Sequence, residues 1–111
     1  MFEQVMQGAV SVIRGTAPIT DSELPQLFEL ADGISTSGQP MVVFDFSQVP
    51  LINSVGLEGI LNLRERFNQR GGSLKLAAAN SLVSDIFRAT EIDQQFEVYE
   101  QVSQAVGSYV R

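Results

Sequence analysis

The chain has no cysteine and no histidine. Without cysteine, neither a disulfide framework nor a thiolate metal site is available. Without histidine, the commonest general base and the commonest neutral metal ligand are missing. Lysine occurs once, as Lys75, and six arginines are scattered along a chain whose net charge is −6. So acidic a domain is poorly suited to duplex DNA or an anionic membrane surface, where phosphates must be neutralised. No apolar run approaches the ~20 residues of a membrane span. The N-terminal stretch Met1–Gly15 lacks a basic segment followed by a long apolar one, so it does not read as a signal peptide, and a cytoplasmic protein is expected. A phosphate-binding loop of the G-x-x-x-x-G-K-[ST] type is absent, as are regularly spaced metal ligands, repeats and linkers. No catalytic residue, cofactor or metal is therefore expected, and the chain reads as a non-enzyme.

What is present points to one folded domain over residues 1–111. That length fits one domain and can bury a real core. A hydrophobic content of 44% argues against disorder. The most informative stretch is Met41 to Arg70. Met41–Phe46 is apolar apart from Asp45, as expected of a short strand covered on both faces. Ser47–Ile52 is a loop in which Pro50 stops the strand. Asn53 or Ser54 can cap a following helix, because a short side-chain oxygen accepts from the free N–H groups of a first turn. The helix is predicted from about Ser54 to Arg70. At 100° per residue, Leu57, Ile60, Leu61, Arg64 and Phe67 share one face with Leu63 at its edge. Glu58, Asn62, Glu65, Arg66 and Gln69 fall opposite. Val55 lies on the polar side, in a stripe with Gly59, Asn62 and Arg66. Gly71 and Gly72 end the helix.

Around this stretch the pattern alternates. Phe2–Met6 and Ala9–Arg14 read as an antiparallel hairpin turning at Gln7-Gly8. Thr20 and Glu23 have capping-box spacing, with Ser22 an equal candidate, and Pro25 fits the first turn of a helix carrying Leu24, Leu27, Phe28, Ala31 and Ile34. Ser35–Pro40 is a Ser/Gly/Pro loop. Ser73–Ala77 is a short strand. Asn80 or Ser81 starts a helix with Leu82, Val83, Ile86 and Phe87. Thr90–Gln95 is polar, Phe96–Tyr99 is a short final strand, and Gln101–Val110 is a terminal helix. This alternation implies an α/β sandwich with a mixed, mostly parallel sheet.

Two readings of Asn53-Ser54-Val55-Gly56 stand side by side. One is a helix cap with a glycine for close packing. The other is a docking epitope, in which an apolar Val55 sits on an exposed helix end and Gly56 and Gly59 keep the surface low. Asp45 is expected to accept from the loop amides of Gln48 to Leu51, or else to contact a cation or partner. Glu58, Glu65 and Arg66 form either a solvated face or, for Arg66 with Asn62, a specificity patch.

Met41 to Arg70 resembles the signature of STAS domains, the family that includes bacterial anti-sigma factor antagonists. The family pattern is V-x-D-[LF]-S-x-V-x-x-[IM]-D-S-[ST]-G-[LI]-x-x-[LIV]-[LIV], followed by a helix and R-G-G-x-[LV]-x-[LIV]. Val43, Asp45, Phe46, Ser47, Val49, Ile52, Ser54, Gly56, Leu57, Ile60 and Leu61 match, and Arg70, Gly71, Gly72, Leu74 and Leu76 follow in register. Length and element order extend the likeness to nearly the whole chain. The resemblance implies a mixed sheet of about four to five strands with about four helices. It also implies a protein-binding regulator whose partner is a histidine-kinase-like serine kinase or anti-sigma factor. The implied contact surface comprises Ser54, Val55, Gly56, Glu58, Gly59, Asn62 and Arg66, joined by the neighbouring Pro18, Ile19 and Thr20. Two positions depart from the pattern. Val55 stands where antagonists carry the phosphoacceptor, and neutral Asn53 replaces the acidic residue before it. Ser54 is the one hydroxyl in the turn and so the candidate phosphosite. STAS domains also serve as cytoplasmic subunits of ABC-type phospholipid transporters, where an ABC transporter ATPase would be the partner and no phosphoacceptor is needed.

Overall fold

A computed structural model describes residues 1–34 and 39–110. Its centre is β3 (Met41–Asp45), whose Val42, Val43 and Phe44 are fully buried. Alternate side chains of this apolar run point to opposite faces, and both faces are covered. Around it lie β1 (Phe2–Gln7), β2 (Val10–Gly15), β4 (Ser73–Ala77) and β5 (Val98–Tyr99), in the order β1-β2-β3-β4-β5. β1 runs antiparallel to β2, and β2 to β5 are mutually parallel. The hairpin turns at Gly8-Ala9, with Gly8 at φ +61°, so β2 begins one residue later than its pattern suggests.

Three helices make the parallel crossovers: α1 (Leu24–Asp32), α2 (Ser54–Gln69) and α3 (Ser81–Ala89). Because successive crossovers share one hand and the strands are in sequence order, all three helices fall on the same face. There Ile13, Val42, Phe44, Leu74 and Leu76 meet Leu27, Ile60, Leu63, Phe67 and Phe87. The terminal helix α4 (Val102–Tyr109) follows β5 and covers the opposite face, where Val10, Val12, Val43 and Ala77 pack with Ala105. Five strands and four helices among the described residues match the expected α/β sheet.

Several local expectations need correction. Leu63, placed at the edge of the buried stripe, is fully buried, whereas Arg64 and Leu61 are only half-buried. α2 packs on the sheet and also against α1, so its buried arc is wider and shifted relative to a single stripe. Arg64 leads its guanidinium out to the Gln95 carbonyl (2.8 Å) and over the Phe96 ring. Phe46 and Phe96 lie just outside the strands they were assigned to, yet both are buried, because the core claims them after the ladder has ended or before it begins. The polar segment Thr90–Gln95 contains a 3₁₀ turn at Ile92–Gln94 with Ile92 buried. Ile34 lies past the end of α1 but remains in the core. The loop expected at Ser35–Pro40 lies outside the described residues except for Gln39 and Pro40.

α4 contributes one fully buried side chain, Ala105, packs Val102, Val106 and Tyr109 partly buried around it, and is also held by polar contacts. The Tyr109 hydroxyl lies 3.0 Å from the Val42 carbonyl, 3.0 Å from the Ser73 carbonyl and 2.9 Å from Ser73 Oγ. Buried Lys75 donates from Nζ to Ser108 Oγ (2.7 Å), pairs with Glu97 (3.5 Å) and sits 4.1 Å from the Tyr109 ring centroid. Burial pushes the Tyr109 phenol above its ordinary value of 10.0.

Leu63→Ala is expected to cost about 2–5 kcal/mol of unfolding free energy by urea titration, since it leaves a cavity under α2. The Tyr109 shift has a defined sign. Its contribution is fully present below pH 10 and is lost as pH rises from there through the higher folded value. Tyr109→Phe is expected to cost about 1 kcal/mol at neutral pH, and its gap from wild type should narrow above pH 10 in the same titration.

Candidate functional site

The site forms where β3 ends. Asp45 lies opposite Arg14 in the β2–β3 register, which turns its carboxylate toward that cation. Oδ2 accepts from Arg14 Nε at 3.2 Å and Oδ1 from the Ser47 amide at 2.8 Å. The amides of Gln48 to Leu51 are not its partners. An Asp bonding the backbone two residues on is the common Asx-turn, and it starts the loop here. Val49 then buries its side chain while its amide bonds the Phe46 carbonyl.

Two loops are stitched together at the entrance to α2. Ile19 and Ile52 form a parallel bridge, with Ile19 N–H donating to Leu51 O (3.0 Å) and Asn53 N–H to Ile19 O (3.3 Å). This sets the loop of Pro18, Ile19 and Thr20 beside the helix start. Thr20 is tied in turn to Glu23, whose Oε1 accepts from the Thr20 amide (3.0 Å) and hydroxyl (2.8 Å). Hydrogen bonds from Ser22 and then Thr20 hold the Glu23 carboxyl below its ordinary value of 4.5. Asn53 is the N-cap of α2, its Oδ1 accepting from Gly56 N–H at 2.8 Å.

The residues grouped by sequence do not form one open patch. Gly56 and Gly59 are buried by the chain itself. A Cβ on Gly56 would lie 2.4 Å from the Ile19 carbonyl oxygen, and one on Gly59 would lie 2.3 Å from a Leu24 methyl. The two glycines therefore let α2 settle against this loop and the start of α1, and they do not line a low outer surface. Arg66 is also engaged internally. Its Nη1 reaches both carboxylate oxygens of Asp32 (3.0 and 2.9 Å), its Nε bonds Asn62 Oδ1 (3.0 Å), and its guanidinium stacks 4.4 Å from the Phe28 ring centroid. The Val55–Gly59–Asn62–Arg66 stripe thus runs along α1, which closes it at Leu24 and Phe28. Arg66 also stands about 18 Å along the helix from Ser54, at 1.5 Å per residue.

What remains open, apart from Asn62 farther along the helix, is a small surface at the helix N-terminus. Ser54 and Glu58 are exposed, Val55 is 41% exposed, and Leu51, just before the helix, is 43% exposed. Two residues that sequence reasoning passed over matter here. Leu51 is an apolar loop residue beside Pro50, a pairing that could have signalled an exposed contact. Asn80 was read only as the start of α3. Its Oδ1 does cap α3 by accepting from Val83 N–H (2.8 Å), and its Nδ2 also reaches the Val49 (3.4 Å) and Pro50 (3.5 Å) carbonyls. Nothing in the local sequence marks that second role. Among the described residues no group of three or more acidic side chains could hold a metal ion, and no helix is long and apolar enough to cross a membrane.

The STAS domain family model matches residues 2–105. The chain belongs to the STAS domain family. No curated protein matches it by sequence. Solved structures share the fold of this STAS domain at low identity. A Thermotoga maritima protein provisionally assigned as an anti-sigma factor antagonist is 20% identical, with 99% of this chain and 95% of that one covered and a TM-score of 0.88. An anti-sigma factor antagonist from Mycobacterium paratuberculosis is 21% identical over 97% of this chain and 92% of that one, with a TM-score of 0.84. The STAS domain of a SulP transporter from Vibrio cholerae is 17% identical over 96% and 84%, with a TM-score of 0.77.

Gly56→Ala tests the close approach. The Ile19 carbonyl oxygen is backbone and cannot step aside, so the substitution is expected to cost about 1–3 kcal/mol in urea unfolding, as overpacking does. Ser54→Ala, at an exposed position, should stay within about 0.5 kcal/mol of wild type.

Proposed function

We propose that this STAS domain is a non-enzymatic regulatory module that binds another protein through the N-terminus of α2. The observation that carries this reading is the exposure of Val55 and Leu51 on either side of the capped turn at Asn53 and Ser54. Two apolar side chains held outward on a rigid, bridged scaffold form a preorganised contact, and a partner that covers them gains from their desolvation. Glu58 on the next turn offers a charge for orientation. The partner class we propose is a histidine-kinase-like serine kinase or anti-sigma factor in a cytoplasmic partner-switching circuit, a reading supported by the shared fold of proteins named anti-sigma factor antagonists. Val55 has no hydroxyl to phosphorylate. The complex is therefore independent of phosphorylation at that position, and Ser54, exposed at the first helical residue, is the candidate site of any such control.

The second reading is a cytoplasmic subunit of a transporter, of the ABC phospholipid type. The missing hydroxyl favours it, and the fold is shared with the STAS domain of one transporter, of the SulP class. The same surface would then brace an ATPase permanently.

An affinity capture from soluble and membrane fractions of the native host, made in parallel with wild type and Val55→Asp, tests both. The expected result is a histidine-kinase-like ATPase bound by wild type. Val55→Asp should weaken that binding by about 30-fold or more in titration calorimetry, the scale of a truncated interface anchor. Unchanged affinity would remove Val55 from the interface. Recovery of a transporter ATPase with its permease would replace the first reading by the second.

A further inference from the structure

The two edges of the sheet are unlike. β5 is two residues long, and so short an edge offers little to pair with. β1 is six residues long, and every residue after Phe2 is exposed, including Val5 (46%) and Met6 (54%). Of the usual devices that blunt an edge it carries one charge, Glu3, and no proline, lysine or glycine kink within Phe2–Gln7.

The hydrogen-bonding parity of this edge can be read directly. Thr16 N–H donates to Met1 O at 2.7 Å, and the register sets Phe2 against Gly15. Met1/Thr16 is therefore a hydrogen-bonded pair, and such pairs recur at every second residue of an antiparallel ladder. Glu3, Val5 and Gln7 spend their backbone groups on β2. Phe2, Gln4 and Met6 direct theirs outward. These three positions are symmetric about Gln4.

We propose that β1 is a self-association edge, at which two copies of this chain pair β1 with β1 antiparallel about a two-fold axis through Gln4. In this register Phe2 of one copy faces Met6 of the other, and Gln4 faces Gln4. Every outward N–H and C=O of the three residues is used, in about six hydrogen bonds. Side chains agree with the backbone. Phe2 packs edge-on against Phe44 at 6.2 Å and presents its outer flank to Met6 of the second copy, which loses its exposure. On the other face Glu3 lies opposite Val5 of the second copy, so no like charges meet. Glu3 keeps its pairing with Arg14 (3.7 Å) within its own chain. A groove beside β1, lined by Gln4, Gln26, Glu29, Leu30 and Gly33, leaves room for the Gln4 side chain of the second copy, an uncharged amide that can donate to Glu29. A two-fold isologous contact is closed and makes a dimer, with both long edges consumed.

Sedimentation velocity of wild type from about 1 to about 500 μM, the range of moderate to weak association, should show conversion from monomer to dimer. Gln4→Pro removes an outward N–H without touching the β1–β2 ladder. It should raise the dimer dissociation constant about tenfold or more, since the axis makes it remove two hydrogen bonds, while circular dichroism and melting stay as in wild type. Val5→Lys, set against Glu3 of the second copy, should tighten the dimer. Gln4→Cys supplies a further readout in a chain with no other thiol. Paired across the axis, its Cα atoms would be about 5.5 Å apart, within disulfide reach, so mild oxidation should give a covalent dimer with unchanged circular dichroism. A wild type that stays monomeric throughout the range overturns the proposal, as does a dimer undiminished by Gln4→Pro. So does a Gln4→Cys protein that does not cross-link, or an edge that takes up only foreign peptide strands.

Discussion

Gly56 lies so close to the Ile19 carbonyl that no side chain fits between them. The rest of the site depends on this contact. It lets the first turn of α2 sit against the loop after β2, and the Ile19–Ile52 bridge then fixes both loops in one small parallel ladder. Asn53 caps the helix with its side chain while its own amide donates to the Ile19 carbonyl. Once the turn is pinned from below, Ser54 and Val55 have one direction left, toward solvent. The exposure of Val55 is thus a consequence of what Gly56 buries.

Three of the cationic side chains hold helices in place. Arg66 clamps α2 to α1 through Asp32 and Phe28. Arg70, just past the end of α2, donates to the Ala31 and Ile34 carbonyls and satisfies acceptors at the C-terminus of α1, which has no basic residue in its own last turn. Lys75 adds a polar anchor to α4 through Ser108, beside the apolar contacts of Val102, Ala105 and Val106. Arg14 turns Asp45 into the loop that opens the site. With so few cations in the chain, engaging them internally leaves an outer surface dominated by carboxylates. That surface suits a protein partner whose contact combines an apolar patch with basic residues, and it disfavours phosphate-rich ones.

Much of this architecture was legible in the chain, and the reasons are local. The apolar run at Val42–Phe44 could only be a strand covered twice. Asn53, Pro25, Gly8 and Gly71 mark caps and turns by the conformations they permit. Leu63 was misjudged because an ideal helical wheel assumes one packed face, whereas α2 meets both the sheet and α1. Arg66 looks free in the sequence because its partners, Asp32 and Phe28, are more than thirty positions away. Ala78 and Glu91, both at positive φ without being glycine, gave no signal, since only surrounding structure imposes a left-handed backbone on such residues.

The sequence by itself determined the element order, the mixed sheet, the family and the lack of any thiol or imidazole in these residues, because composition, periodicity and turn residues act over a few positions at a time. Tertiary structure alone decided which of the signature residues face outward. Side-chain spacing sets a direction relative to the helix axis, while burial depends on what the rest of the chain places alongside. Packing of α1 buried Gly59 and engaged Arg66, while Asn62 stays exposed. The Ile19 strand segment removed Gly56 and left Leu51, Ser54, Val55 and Glu58 as the accessible face.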